Sequence, residues 1–108
     1  MHTEDFLKEI TRIRGLSGDE GLVSEFVSAQ FAPYADEVRT DSLFSVIAHK
    51  KGKGPKVAFF AHIDEIGLMV SHIDENGFGR LTALGGVHPE TMVGSRALFT
   101  NGTPAFSA

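Results

Sequence analysis

Two side chains with the types and spacing for hydrolytic chemistry lie in Ala61-His62-Ile63-Asp64-Glu65. Residues two apart in an extended chain project to the same side, so His62 and Asp64 can meet. The imidazole can then bind a metal through one nitrogen while the carboxylate takes the hydrogen on the other, fixing the tautomer and raising ligand basicity. With no Cys in the chain, any metal has to be held by His and carboxylate. Spacing alone leaves a second reading open, because a His-x-Asp pair also makes an ordinary hydrogen-bonded corner. The same four letters recur at His72-Ile73-Asp74-Glu75, but Asn76-Gly77 follows, and there the turn chemistry favours a hairpin corner.

Position separates the two copies. The stretch before His62, Val57-Ala58-Phe59-Phe60-Ala61, is apolar without alternation, as expected of a strand covered on both faces within a parallel or mixed sheet. Ligands collect at the carboxyl ends of such strands. The expectation is therefore an imidazole facing a cleft, neither turned to bulk water nor wedged among aliphatic groups. His88, in Gly85-Gly86-Val87-His88-Pro89-Glu90, reads as an exposed loop residue. His2 and His49 carry no pattern, and Ser42, Ser45, Ser71 and Ser95 lack a nucleophile-elbow context. No Lys-Ser or Lys-Thr follows the Gly85-Gly86 pair as it would in a nucleotide loop. Asn101-Gly102-Thr103 reads as a turn.

The elements that must position His62 begin with an amphipathic helix over residues 4–14, its apolar side formed by Phe6, Leu7, Ile10 and Ile13. Gly15 stops it. Ser17 stands three residues before Glu20, the spacing of a capping box at the start of a second helix. Leu22, Val23, Phe26, Val27 and Phe31 form that helix's buried stripe, and Pro33 closes it. Strands are expected around Val38 and Thr40 and over residues 43–49, with a polar turn at residues 50–55. Residues 66–73 and 78–84 flank an Asn-Gly turn, residues 93–100 lead to another, and the last residues open a returning strand. The fold class is α/β at first, passing into a β-rich part near residue 70.

Composition narrows the partners. The 108 residues carry 10 Lys+Arg against 14 Asp+Glu, a net charge of -4 with no basic field, which argues against nucleic acid and acidic membranes. No apolar run approaches a membrane span, and the start has no basic, apolar leader, so the default is a soluble cytoplasmic protein. A chain this short buries one modest core and expects help from elsewhere. A small glycoside hydrolase using Glu65, Glu75 or Glu90 as paired carboxyls is the weaker enzyme reading, for Trp is absent and Tyr34 stands alone as a sugar platform.

Leu16-Ser17-Gly18-Asp19-Glu20 together with Ala61-His62-Ile63-Asp64-Glu65-Ile66-Gly67-Leu68-Met69-Val70 resembles the start of the tetrahedral (TET) aminopeptidases, the glutamyl or deblocking aminopeptidases also described as endoglucanase-like. Gly77-Phe78, Gly85-Gly86 with Pro89, and Gly94-Ser95-Arg96 extend the likeness over nearly the whole chain. The resemblance implies the N-terminal portion of a mixed-sheet metallopeptidase domain at residues 1–70, running into an inserted, barrel-like oligomerisation domain that begins at residues 71–108. It implies His62 as ligand to one of two divalent ions, Zn or Co, and Asp64 as its orienting partner. This segment supplies at most one ligand, the others coming from the remainder of the same protein. Peptide is the implied substrate, and dimers building a dodecamer the implied homo-oligomer. Where that family usually carries Gly-Asn, this chain has Phe44-Ser45. Alone, the segment is expected to be inactive and to expose sheet edge. The reading from a different class is a non-catalytic folding or assembly module, or an inactive truncated paralogue, in which His62 and Asp64 only close a hydrogen bond.

Overall fold

The computed structural model describes residues 2–107, so Met1 and Ala108, the outer ends of the two expected domain spans, lie outside the described residues. The chain divides into two units, one ending at Glu65 and the other starting at Ile66.

In the first unit, α1 (Thr3–Ile10) and α2 (Gly21–Phe31) precede an antiparallel pair, β1 (Glu37–Thr40) and β2 (Val46–His49), in which Val38 faces Ala48 and Thr40 faces Val46. The first helix ends earlier than its periodicity suggests. Thr11 turns its hydroxyl back onto the Leu7 carbonyl at 2.7 Å, and the next backbone bonds are the tighter Arg12 to Glu9 and Ile13 to Ile10. Phe6 stacks on Phe26 with centroids 5.7 Å apart, tying the helices together. Val23 and Val27 are buried as expected, whereas Leu22 and Phe31 of the anticipated stripe are exposed. Helix α2 ends two residues before Pro33.

The capping box does not form. Glu20 occupies the N-cap position without a side-chain cap, because its carboxylate accepts from the Gly18 N–H at 2.8 Å and the Ser17 hydroxyl is directed away from the helix. The β1–β2 turn is built by Asp41, whose carboxylate accepts from the backbone N–H groups of Leu43 and Ser45, both at 2.9 Å. Phe44, at the departure from Gly-Asn, has φ 63°, in the left-handed region that favours glycine. That costs on the order of 1 kcal/mol. The buried Ser24 hydroxyl donates to the Phe44 carbonyl at 2.5 Å, an interaction worth about as much, so the two roughly offset.

Residues 57–61 depart from expectation. They pair with no strand among the described residues and lie open, Phe59 and Phe60 being 95% and 94% exposed. Their apolar sequence suits a two-sided cover, but this segment folds into two helices and one hairpin, which leaves them neither ladder partner nor covering layer.

The second unit holds β3 (Gly67–Ile73) and β4 (Gly79–Leu84), antiparallel with a bulge between Val70 and His72. At their turn Asp74 accepts from the Asn76 and Phe78 N–H groups, and Gly77 has φ 85°. The boundary expected at residues 70–71 falls inside β3. A short helix, α3 (Pro89–Met92), stands where a loop was expected, its start suited to the fixed φ of Pro89. Then β5 (Arg96–Leu98), shorter than the anticipated strand, pairs with β6 (Pro104–Phe106), the returning strand. The architecture is thus mixed α/β, with three two-stranded antiparallel sheets among the described residues.

One contact in the first unit leaves no room for change. A Cβ on Gly15 would sit 2.8 Å from Val23 Cγ1 and 3.3 Å from the Ile63 carbonyl oxygen. Gly15→Ala is expected to destabilise the protein by about 1–3 kcal/mol through overpacking, read as a lowered urea midpoint. Ser24→Ala removes the offset at Phe44 and is expected to lower the same midpoint by about 1–2 kcal/mol.

Candidate metal-ligand site

Residues 62–65 are held by backbone pairing with the loop between α1 and α2. The Glu65 N–H donates to the Gly15 carbonyl at 2.7 Å, Leu16 and Glu65 form an isolated parallel bridge, and the Glu65 carboxylate accepts from the Gly15 N–H at 3.1 Å. A Cβ on Gly15 would crowd the Ile63 carbonyl beside this pairing and the Val23 side chain. Glu65 is thereby committed to structure, which removes it from the set of free carboxyls.

The bridge brings Ser17 beside Asp64. Ser17 donates its hydroxyl to Asp64 Oδ2 at 2.5 Å. On the other side, His62 Nδ1 lies 3.1 Å from both Asp64 Oδ1 and the Asp64 carbonyl oxygen. Both partners can only accept when the carboxylate is ionised, so Nδ1 carries the hydrogen and Nε2 presents its lone pair. The Asp64 carboxyl is held below its ordinary pKa, chiefly by the Ser17 hydrogen bond; partial burial opposes this, and His62 adds to it.

His62 and Asp64 therefore meet as their spacing suggested. The surroundings differ from the expectation: the His62 side chain is 86% exposed, so no enclosing cleft forms around the ring in this segment. A cavity of about 210 Å³ lies behind the pair, against Ile10, Ile13, Gly15 and Val23. As a donor set, an imidazole with a free Nε2 and a carboxylate fixed on its Nδ1 fits one ligand of a divalent ion. Among the described residues no group of three or more His, Asp or Glu side chains converges to hold one.

The other histidines keep their structural readings. His72 sits on β3 opposite Arg80, and Asp74 spends its Oδ1 on two turn N–H groups. His88 precedes α3, exposed; His2 and His49 are exposed too. Sequence reasoning assigned Ser17 to a helix cap and so missed its contact with Asp64. The one available signal was Gly15, two residues before Ser17, a residue able to admit another backbone at close range.

Residues 45–106 match the sequence pattern of the M42 glutamyl aminopeptidase family. This chain belongs to that family. It is 45% identical over 98 residues to a putative aminopeptidase of Acetivibrio thermocellus, covering 91% of this chain and 30% of that protein. It is 45% identical over 96 residues to a lysyl aminopeptidase of Pyrococcus furiosus, covering 88% of this chain and 28% of the relative. Among solved structures, PhTET1-12s, described as a dodecamer in the asymmetric unit, superposes with a TM-score of 0.79 at 27% identity, covering 94% of this chain and 32% of that one. This M42 chain thus spans about 30% of the length of the curated relatives it matches. No helix among its described residues is long and apolar enough to cross a membrane.

Asp64 and Asp41 both sit below their ordinary pKa, Asp41 chiefly through the Ser45 and Leu43 N–H groups. A depressed carboxyl stabilises the fold fully above the unfolded value of about 3.9, and that contribution is lost as pH falls through the lower folded value. Carboxyl ¹³C titration is expected to place both midpoints below about 3.9, with Ser17→Ala raising that of Asp64 and leaving that of Asp41 in place.

Proposed function

We propose that this chain is the amino-terminal segment of a metal-dependent aminopeptidase that removes N-terminal residues from peptides, with residues 1–70 in its catalytic α/β domain and residues 71–108 opening an inserted barrel-like domain. The observation that carries this reading is the Asp64 carboxylate on His62 Nδ1, which leaves Nε2 as a ready ligand nitrogen in a chain of an aminopeptidase family. His62 serves as one ligand, and Asp64 fixes its tautomer and ring orientation. When bound, a pair of divalent ions, Zn or Co, supplies Lewis acidity toward the peptide carbonyl and toward water near neutral pH. Neither His62 nor Asp64 is free to act as general base, because the ring's lone pair and the carboxylate's oxygens are already assigned. The base and the remaining ligands come from the rest of the protein, and the segment alone is inactive.

Two observations support further partners. The exposed Val57, Phe59 and Phe60 need a covering layer, which the remainder of the same protein supplies. PhTET1-12s, described as a dodecamer, supports a homo-oligomer. The proposed location is cytoplasmic.

The 86% exposure of His62 favours a second reading for the isolated segment, a non-catalytic folding or assembly module or a truncated, inactive paralogue. Metal analysis with an aminoacyl-anilide assay on the complete protein separates them. His62→Ala is expected to lose bound ion and to lower kcat/KM at least about 100-fold. A complete assembly that keeps its full metal content in His62→Ala, or binds none as wild type, rejects the peptidase reading.

A further inference from the structure

We propose that Ser17 is a positioning residue for the metal ligand His62, its hydroxyl holding the Asp64 carboxylate in the orientation that fixes the imidazole. This rests on the reading of His62 as a ligand. The need for such a device follows from exposure. A ring in open solvent whose polar contacts among the described residues all run to Asp64 is only as well oriented as that residue. An aspartate carboxylate turns readily about its last torsion unless its second oxygen is also held. Ser17 holds it, at 2.5 Å.

Ser17 is itself fixed by the backbone. The Asp19 N–H donates to the Leu16 carbonyl at 2.7 Å, closing a turn in which Gly18 has φ 90°. The parallel bridge from Leu16 to Glu65 and the Gly15 to Glu65 bond anchor that turn beside Asp64. Orientation thus passes from paired backbones to a hydroxyl, from the hydroxyl to a carboxylate, and from the carboxylate to Nδ1. The second His-x-Asp copy provides an internal contrast. Asp74 Oδ1 accepts from the Asn76 and Phe78 N–H groups, and no hydroxyl contact to Asp74 accompanies them among the described residues. That copy serves a turn.

The test measures Zn²⁺ affinity of the complete protein by competition with a chromophoric chelator. Ser17→Ala is expected to weaken Zn²⁺ binding about 10-fold, at the lower end for changes behind a metal ligand. Ser17→Thr, which keeps the hydroxyl, is expected to stay within about threefold of wild type. In an Asp64→Ala background Ser17→Ala is expected to add nothing, because the hydroxyl acts only through that carboxylate. Unchanged affinity in Ser17→Ala, beside metal loss in His62→Ala, overturns the proposal and leaves the ligand reading standing. A loss that persists in the Asp64→Ala background, or failure of Ser17→Ala to assemble, assigns the hydroxyl to the turn and also overturns it. Full metal retention in His62→Ala removes the ligand reading and this inference together.

Discussion

Close packing at Gly15 is the constraint on which the site depends, because the Leu16–Glu65 bridge and the two hydrogen bonds between Gly15 and Glu65 form where a Cβ would press on Val23 and on the Ile63 carbonyl. From that packing follows the placing of Ser17 against Asp64, the carboxylate that also meets His62. Residues 47 and 50 positions apart in sequence are brought within hydrogen-bond reach by it. Pairing at such separation carries a loop-closure cost, and the packing of Val23 against Gly15 helps to meet it.

The opposing feature is the strand-like stretch ahead of His62. Its side chains have the apolar character of a sheet interior, yet Phe59 and Phe60 lie almost fully open. Local preference and tertiary environment disagree there. A chain satisfied by its own contacts would not carry such a conflict. The Phe44 turn shows the same tension on a smaller scale. A left-handed residue with a bulky side chain persists because Ser24, on a neighbouring helix, anchors its carbonyl.

Much of the local structure is legible in the sequence, for reasons that can be named residue by residue. The apolar spacing of Val23 and Val27 marks the buried face of α2, and Asn76-Gly77 and Asn101-Gly102 mark hairpin turns where both glycines take positive φ. The likeness of Leu16 to Glu20 and of Ala61 to Val70 to TET aminopeptidases agrees with the family to which the chain belongs. Less legible are features set by competition for one group. Ser17 has the spacing of a cap, but its hydroxyl has one hydrogen to give, and Asp64 takes it. Helix α1 stops early where the backbone bonds after Thr11 tighten to Arg12–Glu9 and Ile13–Ile10, which hydrophobic periodicity does not register.

The sequence by itself made the meeting of His62 with Asp64 possible, since a two-residue step in extended backbone places both on one side, although the same step at His72 and Asp74 ends with Asp74 serving a turn. It also determined the helices and hairpins that depend on periodicity and turn residues. Only the tertiary structure decided which hydroxyl holds Asp64, that Glu65 serves the backbone, and that residues 57–61 stand without a ladder among the described residues. Those outcomes depend on which groups arrive from distant parts of the chain, and a carboxylate or an apolar strand accepts whichever partner the fold delivers.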